Sequence, residues 1–182
     1  SAMEKQILIA GGGIGGLAAA LACARAGWPA TLMERTREFG EVGAGIQMGP
    51  NVVRRLHAWG LEEDLKKVAA YPEMLRVRSA ETGDVLGRLP LGERARKLYG
   101  APYATIHRAD LHTLLLNAVQ KEGTVQLHLG RWLESFVDTG NAVQVKALDG
   151  AHMEGQALIG ADGLWSTLFP YTTLFRSRKS VV

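Results

Sequence analysis

Gly11, Gly13 and Gly16 stand in the spacing G-x-G-x-x-G, and Glu34 follows 18 positions after the last of them. Each residue type answers a need of dinucleotide binding. The first glycine permits a tight turn, the second lets a pyrophosphate come close to backbone N–H groups at a helix start, and the third lets helix and strand pack closely. A carboxylate at the end of the next strand accepts hydrogen bonds from the ribose hydroxyls of an adenosine. An acid there, rather than a base, disfavours a 2′-phosphate, which leaves NAD or FAD as the ligand.

The elements around these residues supply the context that the motif requires. Gln6 to Ala10 is a short apolar run stopped by glycines, which predicts a buried strand. Leu17 to Ala26 is rich in helix formers and ends at Gly27, and Thr31-Leu32-Met33 forms a second strand with Glu34 at its end. Strand, glycine turn, helix and strand within a short span make the first unit of a doubly wound α/β sheet. Glu38 to Pro50 is glycine-rich and is expected to be a loop, and Asn51 opens a helix carrying Val52, Leu56 and Trp59. A shorter helix follows with Leu61, Leu65 and Val68 inward. From Tyr71 to Ile106 the pattern changes to strands and turns, with Thr82-Gly83-Asp84 between two arms of a hairpin. Asp110 starts an amphipathic helix through Leu111, Leu114, Leu115 and Ala118, closed by Gly123. Four strand-like runs follow: Thr124 to Leu129, Trp132 to Val137, Ala142 to Ala147 and Met153 to Ile159. They read as a strand, an antiparallel meander and a return strand.

The chain has 182 residues, 47% of them apolar, enough for a real core, so disorder is excluded. The formal charge of +3 has an address: Arg176, Arg178 and Lys179 lie near the end, and no acid follows Asp162. A body of zero net charge gives no footprint for nucleic acid. The single Cys23 cannot form an internal bridge and reads as a small buried hydrophobe, and no apolar run approaches a membrane span, so the cytoplasm is the expected location. His57, His112, His128 and His152 lack ligand spacing, so no metal is expected, and Trp28, Trp59 and Trp132 read as packing residues.

Five linked segments carry a resemblance. Gly15-Gly16-Leu17, Glu34-Arg35, Gly43 to Asn51, His107 to Leu111 and Gly160 to Ser166 occur in order. Together they resemble the N-terminal half of the single-component FAD-dependent aromatic hydroxylases, the group that contains salicylate, 3-hydroxybenzoate and 6-hydroxynicotinate monooxygenases. The resemblance implies a Rossmann-like FAD-binding fold with an antiparallel β-meander and part of an inserted substrate domain. It divides the chain into 1–70 and 108–166 for the FAD-binding domain, 71–107 for substrate-domain strands, and 167–182 as a non-native tail.

The same resemblance implies that Gly11, Gly13, Gly15, Gly16 and Glu34 hold the ADP of FAD, with Arg35 beside the adenosine and the Leu133 backbone at the adenine. Ala44 and Gly45 come against the flavin, Arg108 reaches the cofactor from its helix start, and Asp162-Gly163 forms a second cofactor motif. Gln47 stands where some relatives carry a histidine proposed to act on substrate. A glutamine cannot be a general base, so it can only orient a ligand, and no catalytic residue is assigned. The implied reaction is hydroxylation of a small aromatic acid with NADH or NADPH as electron donor and O2, through a flavin C4a-hydroperoxide. An NAD-binding reductase domain and a non-catalytic nucleotide-binding fragment are the rival classes. Thr167 to Ser177 reads as one frame of a common sequencing adapter, so the family pattern is expected to stop near Ser166 and the chain alone to be inactive.

Overall fold

A computed structural model describes residues 5–40, 43–161 and 174–176. In chain order these form β1 (Ile7–Ala10), α1 (Ile14–Arg25), β2 (Ala30–Glu34), β3 (Gly45–Met48), α2 (Pro50–Ala58) and α3 (Glu62–Val68). Then come β4 (Met74–Arg78), β5 (Val85–Pro90), α4 (Glu93–Tyr99), β6 (Ala104–His107) and α5 (Arg108–Glu122). The rest is β7 (Val125–Leu129), β8 (Leu133–Asp138), β9 (Val143–Ala147), β10 (His152–Gly155), β11 (Ala157–Gly160) and β12 (Leu174–Arg176). The chain divides into two compact units, Ser1–Glu41 with Leu115–Val182, and Val42–Leu114.

The first unit is built on a sheet of order β12-β11-β1-β2-β7, in which β11, β1, β2 and β7 run parallel and β12 pairs antiparallel with β11. Strands covered on both faces read as unbroken apolar runs. That is why Ile7, Leu8, Ile9 and Ala10 are all buried. By the alternation of a strand, Leu8 and Ala10 share one face. They form a core with Met33, Val143, Val145 and Leu158, against which Trp132, Leu133, Phe136 and Met153 pack. This face is therefore covered by the antiparallel meander β10-β9-β8. Ile7 and Ile9 are left for the side of α1, which buries Leu17, Ala20 and Leu21. The α/β class with a parallel sheet and a meander is the one expected.

The expected single strand from Met153 to Ile159 is two. β10 pairs with β9, whereas β11 pairs with β1 in the other sheet. The crossing falls at Gly155 and Gln156, where the Gln156 N–H donates to the Gln6 carbonyl at 2.8 Å. A Cβ on Gly155 would lie 2.7 Å from that same oxygen, so only glycine passes there.

The second unit corrects further expectations, among them Val68, expected inward but exposed, and Val52, exposed while its neighbour Val53 is the buried valine of α2. The glycine-rich stretch to Pro50 is not all loop, because β3 pairs antiparallel with β6. Four residues with one glycine carry too little alternation to announce a strand. Within Tyr71 to Ile106, expected to be strands and turns, lies the helix α4. Its signals are electrostatic rather than apolar: Glu93 in the first turn, Arg96 and Lys97 in the last, and Gly100 as a left-handed stop at φ 80°. β4 and β5 form the expected hairpin. In α5, Leu111, Leu114, Leu115 and Ala118 are buried, as their spacing requires. Among the described residues no helix is long and apolar enough to cross a membrane.

Candidate functional site: a glycine turn tied to an acid

The turn between β1 and α1 is fixed by sterics. Gly11 has φ +118°, a conformation that L side chains rarely adopt, and its N–H donates to the Met33 carbonyl at 2.8 Å. A Cβ on Gly16 would lie 1.7 Å from the Gly11 carbonyl oxygen, so helix and turn touch backbone to backbone. A Cβ on Gly15 would lie 3.9 Å from the Ala161 side chain beyond the end of β11, an ordinary contact distance. Gly13 is the extended N-cap of α1; it offers no side-chain cap, and no acid occupies the first turn. The first N–H groups of a helix have no partner within it and carry the positive end of its dipole. A site that an anion can reach is therefore built from backbone alone, and it fits a pyrophosphate.

Glu34 closes the turn from the side. Its Oε1 accepts from the Gly12 N–H at 3.0 Å, and its Oε2 accepts from the Thr36 hydroxyl at 2.7 Å and from the Thr36 N–H. A Cβ on Gly12 would meet Phe39 at 2.7 Å and the Glu34 side chain at 2.9 Å, so a larger residue there would have to displace those side chains. Burial pushes the Glu34 carboxyl upward, but the bonds from Thr36 and Gly12 and the charge of Arg35 outweigh it and hold the group below its ordinary value. An ionised carboxylate has about four acceptor positions, so room is left for ribose hydroxyls. Sequence reading missed Thr36 and Phe39. A threonine two residues past an acid at a strand end is the local signal that could have found the first.

Arg35 lies over the Trp132 ring, 5.7 Å from its centre, which gives that tryptophan a cation to hold as well as a core to fill. The segment after β7 is bound to the same strand end: Arg131 N–H donates to the Glu34 carbonyl at 3.0 Å and Gly130 N–H to the Thr36 carbonyl at 2.7 Å. Leu133 directs its side chain into the core, so its main chain is what it has to offer a ligand. Asp162 and Gly163 lie outside the described residues; the residue before them, Ala161, donates its N–H to the Ala10 carbonyl at 2.9 Å beside the turn.

A second group of expected residues meets within Val42–Leu114. Gly45 is the register partner of His107, and Arg108 follows directly at the start of α5. Gly43 has φ +147°, and a Cβ there would lie 3.3 Å from Arg108 Cδ. Gly43, Ala44, Gly45 and Arg108 thus form one local constellation, while Gln47 is exposed on β3 opposite Thr105. Cys23 is half-buried, and burial raises its thiol, which keeps it protonated. A cavity of about 710 Å³ lined by Lys5, Gln6, Trp28, Pro29 and Thr124 lies at the amino ends of the parallel strands. That is the end opposite the glycine turn, and dinucleotide folds bind at the carboxyl ends.

The turn and its acid define a dinucleotide site, and the chain belongs to the FAD binding domain family, which matches residues 4–172. Among curated proteins, 3-hydroxybenzoate 6-hydroxylase of Polaromonas naphthalenivorans is 44% identical over 166 residues, covering 91% of this chain and 41% of the relative. 3-Hydroxybenzoate 6-hydroxylase 1 of Aquipseudomonas alcaligenes is 40% identical over 166 residues, covering 91% and 42%. 6-Hydroxynicotinate 3-monooxygenase of Pseudomonas fluorescens is 37% identical over 165 residues, with 91% and 42% covered. The chain spans about two fifths of the length of these relatives. Among solved structures, p-nitrophenol 4-monooxygenase PnpA from Pseudomonas putida DLL-E4 shares the fold at a TM-score of 0.80 and 18% identity, covering 91% of this chain and 42% of that one. A 2-methyl-3-hydroxypyridine-5-carboxylic acid oxygenase superposes at 0.74 with 25% identity, covering 89% and 40%.

Proposed function

We infer that these residues are the nucleotide-holding half of an FAD-dependent monooxygenase that hydroxylates a small aromatic acid with NADH or NADPH and O2. The observation that carries the reading is the turn Gly11–Gly16 fastened to the Glu34 carboxylate through Gly12. Gly11, Gly13 and Gly16 hold the pyrophosphate on helix-start amides, Gly15 lets the helix approach it, and Glu34 takes the ribose hydroxyls. Arg35 and the Leu133 main chain border the adenosine. Ala44, Gly45, Gln47 and Arg108 serve the flavin end, and Asp162-Gly163 supplies a second cofactor contact. The flavin, when bound, supplies electron transfer and oxygen activation, while the protein positions the ring and excludes water. Most of the residues that would surround an aromatic substrate belong to the part of the relatives that this chain does not span. The chain by itself is therefore expected to bind the ADP end of FAD without coupling nicotinamide oxidation to hydroxylation.

Calorimetric titration of the purified chain tests this reading. FAD and ADP are expected to bind and to raise the melting temperature, since a ligand held only by the folded state stabilises it, whereas FMN, which lacks the adenosine, is expected to do neither. Gly13→Val is expected to abolish FAD binding while leaving a folded protein, and stoichiometric flavin in that variant would overturn the reading. Preference for NAD over FAD would put a reductase domain in its place. A hydroxylated aromatic product formed by this chain in a yield matching the NADH consumed would show that its site is complete.

A further inference from the structure

We propose that Arg131 is a positioning residue for the adenosine end of the site, clamping the connection between β7 and β8 against the meander through an acceptor that only a neutral His128 can offer. The proposal rests on the reading that the Gly11–Gly16 turn and Glu34 hold the ADP of FAD. The Arg131 side chain is fastened on two sides: its Nε donates to Asp149 Oδ2 at 3.0 Å, and its Nη1 stands 3.3 Å from His128 Nδ1. The three residues come from three places in the first unit. His128 is on β7, where it is the register partner of Met33, Arg131 is in the connection to β8, and Asp149 is in the turn after β9. The main chain beside them is the piece that reaches the nucleotide side. The Gly130 and Arg131 N–H groups donate to the Thr36 and Glu34 carbonyls, the Trp132 carbonyl accepts from Leu148 N–H at 2.8 Å, and Arg35 lies over the Trp132 ring. Leu133 is next in the chain, so releasing the guanidinium loosens the segment that borders the adenosine and leaves the glycine turn untouched.

Donor and acceptor chemistry fixes the state of the imidazole. A guanidinium nitrogen can only donate, so Nδ1 must bring a lone pair, and the proton of the neutral ring is on Nε2. A second proton would set donor against donor and cation against cation. Burial, and then the Arg131 charge, hold the imidazole below its ordinary value of about 6.5, against the opposing pull of Asp149. Asp149 is ionised throughout that range, because the Ala151 N–H and then Arg131 hold its carboxyl below the ordinary value. The other charges nearby are placed otherwise. Glu34 on the neighbouring strand commits its carboxylate to Gly12 and Thr36, and Lys146 pairs with Glu134 at 3.2 Å on the exposed side of β9. Arg37 passes beside Gly130, its Cγ 3.5 Å from where a Cβ would stand. The clamp is therefore complete above about pH 6.5 and is lost as pH falls through the lower value of the folded histidine.

The test is the affinity of the purified chain for FAD, followed by quenching of flavin fluorescence from about pH 8 down to about pH 5, the range in which a histidine changes charge. FAD suits it because a doubly esterified pyrophosphate has no proton to gain there. Wild-type affinity is expected to fall at least about threefold toward the acid side, in a step that follows the titration of His128 recorded by NMR. Arg131→Met is expected to show the low affinity at every pH and to move the His128 titration upward, since the cation beside the ring is gone. His128→Leu, which has no acceptor, is expected to bind as weakly at every pH. His128→Gln, whose amide oxygen accepts from Arg131 without titrating, is expected to restore the high affinity and abolish the step. If Arg131→Met fails to fold, the two His128 variants decide. A wild-type affinity that is flat across the range, a step that survives in His128→Gln, or a folded Arg131→Met that binds FAD as tightly as wild type would each overturn the proposal and leave the FAD reading standing. No FAD binding by the wild-type chain at any pH would overturn that reading, and the role of the clamp with it.

Discussion

The strand β1 and the ribbon β4–β5 both carry apolar strand-forming residues, interrupted in the ribbon by arginines, and meet opposite fates. Ile7-Leu8-Ile9-Ala10 is paired on both edges, covered on both faces and wholly buried. In Met74-Leu75-Arg76-Val77-Arg78 every residue is exposed, and along β5 only Pro90 is not. The ribbon's strands pair with each other alone, bring Arg76 against Arg88, and are anchored at the base, where Leu91 N–H donates to the Glu73 carbonyl at 2.8 Å. β-Propensity makes a strand in both places. What differs is covering, and a two-stranded ribbon without it is marginal. The chemistry grows from the over-determined region, because a turn that must hold backbone amides toward an anion needs neighbours that cannot shift.

The largest effect is expected from breaking the tight end of this contrast. In Gly16→Val the new Cβ meets the Gly11 carbonyl at 1.7 Å, and neither backbone can yield without parting α1 from β1. Loss of the cooperative thermal transition of the first unit, together with FAD binding, is the expected outcome in a calorimetric scan. A smaller but still large loss is expected for Leu8→Ala. Leu8 is fully buried at the centre of the core shared by sheet and meander, and such truncations cost about 2–5 kcal/mol. Denaturant unfolding followed by tryptophan fluorescence measures it, and a cost below about 1 kcal/mol would show a core able to collapse around the gap.

The sequence made the tight region legible and the loose one only partly so. Glycines at positions 11, 13 and 16 with Glu34 beyond them have a steric and electrostatic meaning that survives without knowledge of the rest of the fold. The turn and its acid were therefore found from residue types alone. Arg35 was expected at the adenosine, but its position over Trp132 depends on a segment about a hundred residues away in sequence, which no local pattern encodes. The break at Gly155–Gln156 was invisible for the same reason, since it exists only because Gln6 lies opposite. α4 was missed because its helical signal is carried by charges at its ends and hardly at all by apolar periodicity.

Glu34→Gln sharpens the contrast more gently, by loosening one fastening of the turn without creating a clash. The amide can still accept from Gly12, but its NH2 then faces the N–H and hydroxyl donors of Thr36. FAD affinity is expected to fall by about tenfold, measured by quenching of flavin fluorescence. The acid limb supplies an independent readout. Because the folded carboxyl is held below its ordinary value, its contribution to stability is complete above the unfolded-state value of about 4.3 and is lost as pH falls through the folded one. The wild-type chain should lose melting temperature over that acidic window, and the variant should lose less. Identical acid limbs would mean that Glu34 does not hold the turn.

The smallest effect belongs to the ribbon. Leu86 is 70% exposed and lies at the irregularity where the β4–β5 register slips, so it has neither a packed face nor a strict cross-strand partner. Replacing a leucine in such a place removes almost no buried area, and the hydrophobic contribution scales with the area taken out of water. Leu86→Ser is therefore expected to change unfolding free energy by no more than about 0.5 kcal/mol, against several times that for Leu8→Ala under the same conditions. The comparison must be made in the same chain at low protein concentration, since an exposed leucine that joins two copies would lend Leu86→Ser a concentration-dependent cost. A loss near that of Leu8→Ala in the dilute chain would show that the ribbon is covered after all, and that exposure along β4 and β5 does not mark the loose end of this molecule.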